Sequence, residues 1–352
     1  MRHDCRRLAF ALVLTALAPL TALAWDRGEV ERFATLPAGN HNPEGITADK
    51  HGNIYVTTFD ASRADGVGRL FVFDRHGELK RTVDIANSSR FLLDLAFHPQ
   101  SGDLLVIDFG AAKVLKVNSH TGESSVFTTI PDLTPAPNTP NPGPNVLTFD
   151  KAGNVYISDS FQGIIWRTGP AGGTPVAWVT DPLLATSGVP PFGANGLAFN
   201  NDASALFVAN TGNDQVIKIP VDARGTPGTP AVFVNSVNGA DGLIIDTHDN
   251  LWICANQADE IVVLEPKEGR VIAKLGDFNG LSRSGAPRGL LFPASLVRVG
   301  DWLYVTNLSL DLRAAVGPVF GAVDSPWAAD VKRHTVARLR AKIPQGHGRD
   351  DD

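Results

Sequence analysis

Five polar residues recur at nearly equal intervals and carry only oxygen donors. Glu44, Asp94, Asn145, Asn195 and Asp241 stand 50, 51, 50 and 46 positions apart, each followed by an apolar run. Core packing does not explain them, because the apolar residues after each already fill that role. Carboxylates and carboxamides without thiol or imidazole suit a hard cation, and Ca²⁺ takes about six to eight oxygens in loose geometry. Two arrangements give this pattern. Polar caps on strand starts around a water-filled channel give it, and so do ligands that converge on one divalent ion.

The elements that would position them repeat as well. After each polar residue and its apolar run comes a polar turn, such as Asp49-Lys-His-Gly-Asn or Asp150-Lys-Ala-Gly-Asn. A second strand follows, predicted at 54–57, 104–107, 155–158, 206–209 and 251–254. A third follows at 70–73, 114–117, 164–167, 216–219 and 261–264, and a fourth carries Val83, Phe127, Trp178, Phe233 or Ile272. Four short strands in about 50 residues is the signature of a propeller blade. A sixth copy supplies three strands, at 295–299, 303–306 and 335–342, and the run 30–36 resembles the outer strand it lacks. The expectation is an all-β, six-bladed β-propeller with four-stranded blades, closed by an N-terminal strand in the last blade. That strand would remove the open sheet edge. One domain is expected over 25–344, with a disordered polar tail at 345–352.

Connections leading to the inner strands are long, and all fall on one face of the ring. They run 131–144, with six prolines in fourteen residues, then 182–194, 276–293 and 307–333. Long connections on a rigid scaffold commonly carry function.

The chain resembles the senescence marker protein/gluconolactonase/regucalcin-like family, over about residues 30–343. The resemblance rests on Pro43-Glu44-Gly45, Pro144-Asn145, Ala194-Asn195-Gly196-Leu197 and Ala240-Asp241-Gly242-Leu243. It implies that Glu44, Asn195 and Asp241 ligate one divalent cation, Ca²⁺, in the central channel. Asn145 would lie beside the metal as a further ligand or a contact to substrate. It also implies lactone hydrolysis, with Asp241 or Glu44 as base toward water and Asn145 donating to the oxyanion. A carboxylate bound to Ca²⁺ is a weak base, so the metal would supply much of the activation. The chain departs from the family's sugar lactonases, which place an arginine two residues before the third-blade asparagine. Gly143 stands there, and Phe59, Phe161, Phe192 and Trp327 are expected on the same face. An apolar lactone is therefore the expected small-molecule substrate.

A second reading is a non-enzymatic propeller that binds a ligand or protein in the cell envelope, since fold does not fix function. A third, a propeller lyase, would need a catalytic histidine in the channel, and His41 is its candidate. His51, His98 and His248 fall in turns and are expected at the surface. The Asp-x-x-Gly-Asn turns lack the ligand spacing of an EF-hand and read as hairpin turns. No His-Glu-x-x-His, Gly-x-Ser-x-Gly or P-loop occurs.

Composition bounds the remainder. Of 352 residues, 43% are hydrophobic and 19% charged, enough for a large core. A net charge of −6 argues against a nucleic-acid partner, whose phosphates want a basic face. Residues 1–24 read as a signal peptide, with Arg2, Arg6 and Arg7, an apolar run 8–20 and Ala22-Leu23-Ala24. The leader holds three Arg and one Asp, so its removal takes the charge from −6 to −8. Cys254 is then the one cysteine left, expected buried and inert, and no intrachain disulfide is possible. No span is expected after removal, and the mature chain is expected to be exported, periplasmic or secreted.

Overall fold

The computed structural model describes residues 26–39, 42–60, 66–133, 142–313 and 325–344. Leader 1–24, tail 345–352 and His41 lie outside them. Strands make up six four-stranded antiparallel sheets, each running outward from a central channel. The innermost strands are Pro43–Ala48, Leu92–Phe97, Pro144–Phe149, Ala194–Phe199, Ala240–Ile245 and Pro293–Val299. Sequence order matches sheet order in blades 1 to 5. In blade 6, Trp302–Asn307 and Thr335–Arg340 are followed by Val30–Thr35 at the outer edge. Val30 pairs with Leu339 and Thr35 with Thr335, so the N-terminal strand closes the ring as the sequence indicates.

The core is divided among six seams, one between each pair of neighbouring blades. Leu70, Val72 and Val83 of blade 1 meet Leu95, Leu104 and Val106 of blade 2. Phe33, Tyr304 and Val336 of blade 6 meet Ile54, Val56 and Phe71 of blade 1 in the same way. Successive strand residues point to opposite faces, and both faces of each sheet are covered. That is why the second strands are buried along almost their whole length rather than at alternate residues.

The polar turns satisfy themselves. Asp49 accepts from the backbone N–H of His51 and Asn53, at 2.8 and 3.0 Å, and from Asn53 Nδ2 and the Tyr55 hydroxyl at 2.7 and 3.2 Å. Asp246 repeats this with Asn250 and with Trp252 Nε1. Such carboxylates are occupied by the turn, as the hairpin reading requires. His51 and His248 are exposed, but His98 is buried. Its Nε2 lies 2.9 Å from Gly153 O and its ring packs edge-on against Phe149, tying the turns of blades 2 and 3. Cys254 is fully buried, and burial followed by the charges of Asp241 and Glu44 pushes its thiol well up.

Around blade 6 the connections form two elements the sequence did not suggest. Phe278–Leu281 and Pro287–Gly289 make a small hairpin, and Ser325–Ala329 is a short helix. Trp327 on that helix is half exposed and packs against Phe278. Among the described residues, no helix is long and apolar enough to cross a membrane.

Candidate functional site

Every innermost strand carries a β-bulge at its second and third residues. In blade 1, Pro43 pairs with Thr58 and Ile46 with Val56, so Glu44 and Gly45 together oppose Thr57. The same shift occurs at Asn145–Val146, Asn195–Gly196, Asp241–Gly242, Leu93–Asp94 and Ala294–Ser295. A bulge re-aims the side chains it contains. The second residue of each innermost strand therefore defines one ring position, occupied by Glu44, Leu93, Asn145, Asn195, Asp241 and Ala294. All but Ala294 line a single chamber at one end of the channel.

Glycine at the third position lets the ring close tightly. A Cβ on Gly45 would strike Leu93 O and come within 2.8 Å of Asp94 Cα, and one on Gly196 would strike Asp241 O. The glycines of the Glu-Gly, Asn-Gly and Asp-Gly pairs serve close approach of neighbouring strands rather than a turn.

Asp94 does not join the set. It is the third residue of its strand, one place past the ring position, and Leu93 takes the chamber side. A one-residue offset in a strand moves a side chain to the other face. Asp94 instead lines the cavity at the opposite end of the channel and accepts from Leu147 N–H at 3.0 Å. Burial pushes its carboxyl up to about 7, partly offset by the N–H groups of Leu147 and Leu95.

The chamber has two unlike halves. The residue just after each second strand also faces it or its rim. Ser160, Thr211 and Asn256 hold this place in blades 3 to 5, and Phe59, Phe109 and Leu308 hold it in blades 1, 2 and 6. The polar three were not singled out in the sequence, although a polar residue directly after an apolar strand was there to be noticed. Asn145 Nδ2 donates to Ser160 Oγ at 3.0 Å, and that hydroxyl donates to Ala194 O of the next blade at 2.7 Å. Asn195 Nδ2 donates to Thr211 Oγ1 at 2.9 Å, which donates to Ala240 O at 2.7 Å. A hydroxyl has one proton to give. Each spends it on the neighbouring blade, so toward the asparagine it can only accept. The amide nitrogen is thereby held on the hydroxyl and the amide oxygen is left free. Asn256 Nδ2 donates to Asp241 Oδ2 at 2.9 Å.

Four buried oxygens around this chamber have no donor: Glu44 Oε2, Asn145 Oδ1 and Asn195 Oδ1 of the ring, and Asn256 Oδ1 beside it. A buried acceptor without a partner costs about 1–3 kcal/mol, and four around one chamber call for a shared positive partner. The carboxylates fit the same need. Burial raises Glu44 well above its ordinary value, with further contributions from the charges of Asp241 and Asp94. Burial also raises Asp241 to about 7, against the hydrogen bonds of Asn256 and Asn195. No group of three His, Cys, Asp or Glu residues with metal-site geometry occurs among the described residues. The chamber's donors are instead two carboxylates and two amides, all oxygen, which suits a hard divalent cation.

Comparison with known proteins places this geometry among relatives. Residues 96–276 match the family model for the SMP-30/gluconolactonase/LRE-like region. A lactonase, drp35, of Staphylococcus aureus (strain MRSA252) is 25% identical over 154 residues, covering 40% of this chain. The match takes in 45% of that enzyme, so the chain spans less than half the length of the lactonases it matches. Among solved structures, a luciferin-regenerating enzyme superposes with a TM-score of 0.63 at 16% identity, over 91% of this chain and 96% of the other. A calcium-binding protein, regucalcin, from Agrobacterium tumefaciens str. C58 gives 0.58 at 16% identity, over 87% and 94%. At these identities the superpositions show the shared propeller.

Proposed function

This chain belongs to the SMP-30/gluconolactonase/LRE-like family, and from that membership we propose that it is a hydrolase of small lactones working with one divalent cation, Ca²⁺. The observation that carries the reading is the set of donorless oxygens on Glu44, Asn145 and Asn195 around one chamber with Asp241. These four residues would hold the ion. When bound, such an ion polarises a carbonyl and stabilises the negative charge that develops on its oxygen. The lactonases among the relatives support the reaction, and the calcium-binding relative supports the ion.

The chain's own residues then handle water and protons. Asp241 or Glu44 takes a proton from a water as its oxygen bonds to the lactone carbonyl carbon. The ring C–O bond breaks, and the leaving oxygen receives that proton, giving the open hydroxy acid. Both carboxylates are buried, so their basicity is set by the chamber rather than by bulk water. For Asn145 we assign the ligand role ahead of donation to the oxyanion, because its nitrogen is engaged with Ser160 while its oxygen is free. We also propose that residues 1–24 are an export signal. The protein would then act outside the cytoplasm, and mass spectrometry of the envelope fraction should find a mature chain beginning at Trp25.

The test is the metal content of the purified protein, followed by lactone turnover with and without chelator. One bound divalent ion per chain and chelator-sensitive hydrolysis are expected. An ion-free chain that takes up no Ca²⁺ would remove the metal assignment. A bound ion without turnover of any lactone would leave a ligand-binding propeller.

A further inference from the structure

We propose that the lactone carries a hydrocarbon group, an alkyl chain or aromatic ring, and that this group lies on a belt of five phenylalanines running outward from the chamber. The inference rests on the lactonase reading above. The chamber itself holds about 50 Å³ of free space. That is far below the roughly 300–1,000 Å³ of a pocket that encloses a drug-sized ligand. The reacting carbonyl fits at the ring of oxygens, and the body of the substrate must lie toward the mouth.

The surface waiting there is aromatic. Phe59 and Phe192 line the chamber. Phe59 contacts Phe91 at 4.8 Å between ring centroids and Phe109 at 6.0 Å. Phe109 contacts Phe161 at 5.6 Å, and Phe161 contacts Phe192 at 5.4 Å. All five rings are partly exposed, although Phe59 and Phe109 also pack on the core between blades 2 and 3 and the Arg90 guanidinium lies 4.3 Å over Phe91, so the belt is a partly accessible aromatic surface continuous with the site. Surfaces of this kind mark binding sites. Polar recognition is excluded at one point by backbone geometry. The ring of Phe161 lies over Gly143, where a Cβ would come within 2.7 Å of it, so no side chain can rise between belt and Asn145. Ser160, Thr211 and the Asn256 nitrogen are meanwhile committed to Asn145, Asn195 and Asp241, which leaves the Asn256 oxygen beside the ring rather than on the belt. A polyhydroxylated ring would lie against phenylalanine with its hydroxyls unmatched.

The experiment compares γ-lactones bearing alkyl chains of increasing length with D-glucono-δ-lactone. We expect kcat/KM to rise about fourfold with each added methylene over the first several, as burial of a CH₂ group predicts. Phe161→Ala should flatten this dependence and Phe161→Leu should retain much of it. The corresponding γ-lactams, which are not opened, report binding alone by calorimetry. Lactam affinity that grows with chain length but without lactone turnover would keep the belt and overturn the hydrolase. A flat chain-length dependence in both series, or preferred turnover of the sugar lactone, would overturn the belt and leave the hydrolase standing.

Discussion

At the scale of single residues, the site is a matter of which atom of each amide faces inward. Thr211 and Ser160 decide this through protons they give to the next blade. Thr211→Val keeps the shape and removes the hydroxyl, so cation affinity should fall about 10–100-fold, the usual cost of losing such an outer contact. Thr211→Ser should restore it. Asn195→Ala and Asp241→Ala should abolish uptake while the circular dichroism spectrum stays native. Titration calorimetry reads all four, and an unchanged affinity in Thr211→Val would mean that the hydroxyl does not orient Asn195. The ring residues Glu44, Asn145, Asn195 and Asp241 were legible because they recur with the period of the blade. Asp94 was misplaced by one position, since a spacing of 50 does not reveal on which of two bulge residues a carboxylate sits. The hydroxyls were overlooked because Ser160 and Thr211 recur in too few blades to form a pattern, with Phe59, Phe109 and Leu308 in their place elsewhere.

At the scale of elements, the repeated bulge is what turns a strand into a ligand holder. It needs a residue without a Cβ where the next strand crosses closest. Gly196→Ala would drive a methyl group into Asp241 O. We expect a loss of about 1–3 kcal/mol, as for other overpacked positions, together with weakened cation binding, because the displaced backbone carries Asp241. A variant with native urea stability would show that the strands have room to separate. Strand positions were readable from apolar runs and turn residues, and the Asp49 and Asp246 turns followed from side chains that bond to their own hairpins. The hairpin Phe278–Leu281/Pro287–Gly289 was not readable, being short, half exposed and outside the repeat. Trp327 was expected on the same face as Phe59, Phe161 and Phe192, and the sequence did not indicate that its ring partner is the hairpin residue Phe278.

At the scale of the whole molecule, charge and closure set the conditions under which the ring holds together. Glu44, Asp94 and Asp241 have carboxyls raised in the fold, the latter two to about 7, against about 3.9 for an unfolded aspartate. The folded chain therefore binds more protons between pH 4 and 7, and stability without a cation should fall as pH rises across that window. Asp49 and Asp246 act in the opposite sense. Burial works against their charge, but the hydrogen bonds of their turns outweigh it and hold both below the ordinary value. Their stabilisation is present above pH 4 and is lost as pH drops through the lowered values. Melting temperatures in chelator should thus peak near pH 4–5, and Ca²⁺ should raise them most above pH 7. A Ca²⁺ effect as large at pH 4 as at pH 8 would show that the ion does not sit on these carboxylates. Closure has a separate consequence. Glu31 and Arg338 are ion-paired across 307 positions of sequence, at the seam between the first strand and the last. During synthesis the first strand is made long before its partner exists, and blade 6 cannot assemble until nearly the whole chain has emerged. The seam thus acts as a late lock: a chain cut before Thr335 keeps an unzipped edge, open to proteases and to other strands, and only one that extends through Arg340 can seal it.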